Sequence, residues 1–178
     1  LVSTYHHKLS EKNLIFYDTE TTGILKDFSQ ILQCGSVLTD EGLNTLDEQN
    51  IGCAPLPWVI PQPMAMITNK RIDLFKSNIS HYQMMKDLQM QWKQWSAENP
   101  AIFITYNGHA FDEELVRRQF FWNLLEPYTT NTNGNGRLDL MLMIHNIAAF
   151  FSDEISMPLF EGGPGISYKL EHLAIEHV

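Results

Sequence analysis

Ile15-Phe16-Tyr17-Asp18-Thr19-Glu20-Thr21-Thr22-Gly23 is the stretch on which the reading of this chain turns. An apolar run feeds two acids two residues apart and leaves through a Thr-Thr-Gly turn. Residues 14–17 are predicted to form a short buried strand. Side chains alternate along a strand, so extended backbone through Glu20 puts Asp18 and Glu20 on one side of it. Two neighbouring carboxylates repel each other, and a divalent cation relieves that repulsion. Hard carboxylate oxygens at a strand end suit Mg²⁺ or Mn²⁺. Gly23 permits the sharp exit that the lip of a site needs. A bare Asp-x-Glu is equally a pair of solvated acids near a turn, so the pair needs partners elsewhere.

The chain has 178 residues, which suits one domain with a sizeable core. It is 44% hydrophobic and 19% charged, the balance of an ordinary soluble globular protein. No apolar run approaches the length of a membrane span, so no membrane association is expected. Residues 1–10 carry no signal-peptide pattern, and a start at Leu1 suggests a processed or trimmed beginning. Cys34 and Cys53 sit in apolar contexts and are expected to be buried free thiols of a cytoplasmic protein, not a disulfide or metal site. The net charge of −9 argues against holding nucleic acid on a broad basic face. It is compatible with an enzyme that meets a phosphodiester through metal ions, because acids attract phosphate once cations load.

In chain order, residues 29–39 and 43–53 read as second and third strands around an Asp40-Glu41-Gly42 turn, an antiparallel meander. Pro55, Pro57, Pro61 and Pro63 mark an extended connector over 55–63. A short helix and turn are expected over 64–75. An amphipathic helix follows over 84–96, with Met84, Met85, Leu88, Trp92 and Trp95 as its core stripe. Residues 101–106 form a buried strand, 107–110 a turn and 111–123 a helix with its acids first and Arg117 and Arg118 later. Residues 129–136 read as a flexible polar loop. Residues 137–151 read as a helix opening near Asp139, a plausible N-cap. Residues 152–166 read as a Gly-rich loop, and a last helix starts at Ser167.

Asp112 is the partner that the first acids need. It lies where the buried strand 101–106 hands over to the next helix. Taken alone it reads as a helix N-cap or first-turn acid. Combined with Asp18 and Glu20, it makes three acids from two strand ends, which can hold two divalent cations roughly 4 Å apart.

With these residues assembled, residues 16–23 resemble the first motif of the DEDD, or DnaQ-like, 3′→5′ exonucleases. Residues 106–114 resemble their second motif. The resemblance is closer to the bacterial exonuclease I family. It is carried by Pro61-Gln62-Pro63, Ile67-Thr68-Asn69 (the family has Ile-Thr-Gly), Phe111-Asp112-Glu113-Glu114 with Arg117, Glu126-Pro127-Tyr128, Arg137-Leu138-Asp139-Leu140, and 167–173. The resemblance implies an RNase H-like (DnaQ-like exonuclease) α/β fold, a mixed five-stranded sheet flanked by helices. It implies Asp18, Glu20 and Asp112 as catalytic, metal-binding acids for Mg²⁺ or Mn²⁺, two ions in the complete site. It implies Thr21, Phe111, Arg117, Tyr128 and Lys169 along the path of a single-stranded DNA 3′ end. It also implies a role in DNA repair and, for a full-length parent, single-stranded-DNA-binding protein as a partner. Arg117 and Lys169 could meet phosphate, and Tyr128 could stack on a base. A helix-face cation, a solvated lysine and an interface ring are the structural alternatives, and Phe111 is either a wedge or a core ring. Lys169 and His145 stand where the family often has Arg.

One departure is large. The family's third motif, His-x-x-x-x-Asp, supplies the general base and a fourth acid, and it does not occur here. His172 and His177 have no acid five residues on, and His172 is read as structural. Residues 1–178 are therefore expected to be an exonuclease domain truncated before its third motif, weak or inactive alone. The alternatives are another DEDD nuclease, of the oligoribonuclease or proofreading type, and a non-catalytic RNase H-like module that binds nucleic acid.

Overall fold

A computed structural model describes residues 12–151, 157–159 and 166–177. The polar lead-in over 1–11 and Gly162, Gly163, Pro164 and Gly165 fall outside them. Five strands form one sheet: β1 (Asn13–Thr21), β2 (Ile31–Thr39), β3 (Thr45–Gly52), β4 (Ala101–Thr105) and β5 (Gly136–Asp139). The helices are α1 (Pro63–Asn69), α2 (His81–Trp95), α3 (Asp112–Trp122), α4 (Leu140–Phe150) and α5 (Leu170–His177), with short 3₁₀ turns at Ile72–Lys76 and Thr129–Asn131.

The spatial order is β3-β2-β1-β4-β5. The expected meander is present: β2 runs antiparallel to β1, and β3 antiparallel to β2. On the other side β4 runs parallel to β1, and β5 parallel to β4. Parallel neighbours need crossover connections, and helices supply them. The sheet is therefore mixed and helix-flanked, the RNase H-like architecture that the motifs imply. The C-terminal ends of β1, β4 and β5 come out side by side, where open α/β sheets gather their functional groups.

β1 is longer than the apolar run alone indicates, because the acidic stretch continues the strand to Thr21. Its odd-numbered side chains, Ile15, Tyr17, Thr19 and Thr21, are buried. Its even-numbered side chains, including Asp18 and Glu20, emerge on the opposite face. The core lies on the odd side. Met84, Met85, Leu88 and Trp92 of α2 are fully buried there, together with Phe103, Leu115 and Phe120. Trp92 is its centre, with Tyr17 at 4.8 Å and Phe103 at 5.2 Å between ring centroids. The indole N–H donates to Ser36 Oγ at 3.0 Å, so its one polar atom is satisfied. Cys34 and Cys53 are buried and free, as expected.

The last helix begins at Leu170, not Ser167, and Thr129 and Thr130 are buried in a 3₁₀ turn where a flexible loop is expected; the larger correction is at the fifth strand. Residues 136–139 are the fifth strand, not the start of a helix, and α4 begins only at Leu140. Four residues are too few to show an alternating pattern, and an Asn-rich loop runs into them. The N-cap assignment of Asp139 holds: its carboxylate accepts from the N–H groups of Met141 and Leu142.

Candidate active site

Asp18 and Glu20 sit near the C-terminal end of β1 on its open face. Gly35 of β2 lies directly opposite Asp18, and a Cβ built there meets nothing within 4 Å. The floor beside Asp18 is therefore free of side chain. Beyond Glu20 the register slips, with Thr21 opposite Ile31 and the Thr22 N–H donating to Gln30 O at 2.9 Å. Thr21 is buried. Its hydroxyl donates to Gly23 O at 2.8 Å, so it closes the turn from within.

Two segments strap this lip. Gln62 donates its N–H to Thr22 O at 2.7 Å, and its side-chain oxygen accepts from Ile24 N at 3.0 Å. Asn69 Nδ2 donates to Thr21 O at 2.9 Å. The Pro-Gln-Pro and Ile-Thr-Asn blocks thus act on the exit of the acidic strand. On the far side of the lip, Lys26 bonds Ala110 O at 2.9 Å and pairs with Glu114.

Asp112 is the first residue of α3 and is buried at 7% exposure. It does not cap the helix with its side chain. Its carboxylate accepts a short hydrogen bond from the hydroxyl of Thr19, the residue between Asp18 and Glu20. The first two motifs therefore meet in space. The loop before Asp112 is tightly specified. Asn107 is left-handed at φ 60°, and a Cβ on Gly108 would lie 2.5 Å from Thr105 Cβ. Gly108 O accepts from the N–H groups of both Phe111 and Glu113.

The three acids feel each other. Burial pushes Asp112 up from 3.8 to about 6, opposed by the Thr19 hydroxyl and reinforced by the charge of Asp18. Glu20 is raised by burial first, then by Asp18 and Asp112, while Arg71 pulls it down. Asp18, although exposed at the surface, is raised by the desolvating walls around it, against a backbone bond from Thr19. Oxygen donors that resist ionising together are the donor set a hard cation relieves. As they stand, though, no three His, Cys, Asp or Glu side chains among the described residues converge into a cage for an ion. The Thr19 bond holds the Asp112 carboxylate on the strand.

The remaining expected residues are more dispersed. Phe111 is half-buried and packs on the core. Arg117 lies over the ring of Tyr128, 5.3 Å from its centroid, and the two line a cavity of about 180 Å³ with Phe121, Trp122 and Pro127. Lys169 is exposed and 3.8 Å from Glu171. His145 stacks on Tyr168 at 3.6 Å, and Tyr106 donates its hydroxyl to Tyr168 O. His172 bonds Ser167 at 2.7 Å through Nδ1, a local role at the start of α5.

Lys26 and Arg71 escape the sequence reading, and Gln62, Asn69 and the pair Glu113–Arg137 stand in its motif blocks without the structural role that they have here. Glu113 is almost fully buried and bonds Arg137 of β5 at 2.6 Å. Its signal was available, since helical spacing puts Glu113 beside Val116 and Phe120, on the buried face.

No protein-family model matches the chain. Exodeoxyribonuclease I of Buchnera aphidicola subsp. Acyrthosiphon pisum is 30% identical over 168 residues, 90% of this chain and 39% of that protein. The chain spans only 34% to 39% of the length of such relatives. Among solved structures, a complex of exonuclease I with the SSB C-terminal segment superposes with a TM-score of 0.83 at 22% identity, over 93% of this chain and 36% of that one. Escherichia coli exonuclease I bound to a dT13 oligonucleotide gives 0.81 at 22% identity over the same shares. These likenesses bear out the exonuclease I resemblance and the RNase H-like fold.

Proposed function

We propose that this chain is the metal-binding core of a 3′→5′ exodeoxyribonuclease that removes 5′-mononucleotides from single-stranded DNA. The observation that carries it is the meeting of the two acidic motifs: Asp18 and Glu20 on an open strand face, and Asp112 bonded to the Thr19 between them. The similarity to exodeoxyribonuclease I over nine-tenths of the chain supports the substrate class. Asp18, Glu20 and Asp112 would hold Mg²⁺ or Mn²⁺, two ions when the site is complete. Such ions supply charge stabilisation of a phosphoryl transition state and a more acidic water. Asp112 must release its proton and leave Thr19 to join them, a step that burial, which raises its pKa to about 6 in the metal-free chain, opposes and a bound cation would favour.

Arg117 and Tyr128 form one unit on the exposed side of α3, where a ring can stack on a base and a guanidinium can meet phosphate. Thr21 shapes the lip through Gly23, Phe111 braces the loop before Asp112, and Lys169 offers an exposed point charge. The chain contains no His-x-x-x-x-Asp, so no residue here is assigned to take the proton from water. Hydrolysis by these 178 residues alone is therefore weak. A cytoplasmic setting belongs to the same reading, supported by the two buried free thiols. The neighbour solved with an SSB segment makes single-stranded-DNA-binding protein a candidate partner.

The test is a calorimetric Mn²⁺ titration of wild type and Asp18→Ala, alongside anisotropy of a 3′-labelled single-stranded oligonucleotide. Binding of Mn²⁺ by wild type and its loss in the variant are expected. DNA binding indifferent to both metal and Asp18 would instead favour the non-catalytic module, the reading to which the uncaged acids lend support.

A further inference from the structure

β1 carries Asp18 and Glu20 near its C-terminal end, the loop after β4 leads to Asp112, and β5 ends on an acid that is used differently. Asp139 ends β5, beside Thr105 of β4. Its Oδ1 accepts from the N–H of Asn107 at 2.9 Å, and from Met141 at 3.1 Å and Leu142 at 3.3 Å. Its Oδ2 accepts from His109 N at 3.1 Å. The carboxylate is thus surrounded by backbone donors and has no place in a metal site. Capping α4 engages only Oδ1, and Ser, Thr or Asn would cap as well. The second oxygen serves the loop alone.

That loop is a small anion hole. With Asn107 left-handed, the N–H groups of residues 107 and 109 converge, as in backbone nests that bind anions. Here the anion is a side chain of the protein itself. Gly108, between the two donors, turns its carbonyl to the N–H groups of Phe111 and Glu113, which flank Asp112. Arg137, two residues before Asp139 on the same strand, bonds Glu113, the next residue after Asp112. Thr130 adds a hydrogen bond to the same Glu113 oxygen at 3.2 Å.

We propose that β5 is the positioning element of the acidic site: Asp139 fixes the loop that leads into Asp112, and Arg137 fixes the residue after it. Neither Asp139 nor Arg137 touches substrate or metal; both are positioning residues that act through Asp112. This inference rests on the nuclease reading for its functional meaning. Asp139→Asn is the informative change, because an amide nitrogen in the place of Oδ2 would face the His109 N–H, donor against donor.

The experiment compares wild type, Asp139→Asn and a core control of comparable melting-temperature loss, Ile31→Val. Two quantities are read: the dissociation constant for Mn²⁺ and the amide hydrogen exchange of Phe111 and Glu113. Supporting residues of a metal site typically change affinity about 10- to 100-fold, so Asp139→Asn should weaken Mn²⁺ binding by at least about tenfold. Exchange at Phe111 and Glu113 should quicken while amides of β1 and β2 keep their rates. Ile31→Val should leave Mn²⁺ affinity at the wild-type value. The inference is overturned if Asp139→Asn keeps wild-type affinity, or if the control loses as much. Wild type that binds no Mn²⁺ removes the nuclease reading instead. In that event unchanged exchange at Phe111 and Glu113 in Asp139→Asn overturns the positioning role by itself. Should Asp139→Asn fail to fold, Glu113→Gln is read in the same way, since it keeps the side-chain shape and an oxygen for Arg137 and Thr130.

Discussion

Asp18 and Glu20 lie on an open strand face, where β-sheet geometry alone fixes their direction. Asp112 lies 92 residues after Glu20, buried at a helix start, where its direction depends on partners from three other segments. Thr19 meets its carboxylate, Gly108 ties the helix start, Asp139 holds the loop, and Arg137 holds the neighbouring glutamate. The strand side supplies oxygens that solvent already reaches. The helix side supplies an oxygen that must be unmasked. The difference assigns the pH response and the fragility of the site mostly to Asp112.

The largest expected effect is electrostatic. An acid whose pKa is raised on folding stabilises the fold below its ordinary value and loses that contribution as pH rises through the folded value. For Asp112 the window runs from 3.8 to about 6. That displacement corresponds to about 3 kcal/mol of stability lost by the metal-free chain across the window. Asp112→Asn should therefore be more stable than wild type at pH 7.5 by up to that amount, and equal to it below about pH 4. Urea melts at both values measure it. Asp18→Asn should show the same direction with a smaller change, because its carboxylate is exposed. Equal gains in the two variants would erase the contrast between the two sides.

The two sides also differ in how much of them could be read in advance. Alternation along residues 14–20 was enough to place Asp18 and Glu20 on one face, because a strand has a period of two whatever surrounds it. The Met and Trp stripe of α2 was legible for the same kind of reason. Asp112 was legible as a residue but not as a geometry. Its contact with Thr19 spans 93 positions and that of Asp139 with the loop about 30, and no local pattern encodes either. The short strand β5 was missed because its identity comes from pairing with β4. Gln62 and Asn69 stood inside recognisable blocks, yet their role is a pair of backbone bonds that only the folded chain displays. Glu113 is the exception, since helical spacing alone puts it on the buried face with Val116 and Phe120.

The middle-sized effect compares the glycines at the two exits. Gly108→Ala forces a Cβ to within 2.5 Å of the branched Thr105 side chain, in a turn whose other residue is already left-handed. Overpacking of this kind costs about 1–3 kcal/mol, and here it also shifts the start of α3. Gly23→Ala brings its Cβ to 2.7 Å from atoms of the Gln62 side chain, which is flexible and can give way. The first variant should lose more stability than the second by thermal melting, and it should lose Mn²⁺ affinity as well. The reverse order would mean that the strand exit, not the helix start, is the rigid half.

The smallest effect isolates the strap across the strand exit. Gln62→Ala removes the acceptor of Ile24 N but leaves the backbone bond from residue 62 to Thr22 O intact. Asn69→Ala removes the donor to Thr21 O together with the acceptor of Arg71 N. Each loss is worth about 0.5–1.5 kcal/mol, and Ile24 N is exposed enough for water to replace the Gln62 oxygen. Asn69→Ala should therefore be the more damaging of the two. It also frees Arg71, whose charge lowers the pKa of Glu20, so Glu20 should titrate higher in this variant. A carboxyl ¹³C titration of Glu20 reads that directly. Because β1 stays paired with β2 through Asp18 and Glu20, neither variant should displace these two acids, and Mn²⁺ affinity should change less than in Gly108→Ala. A larger loss from either strap variant would show that the lip, not the sheet, sets the direction of the first two acids.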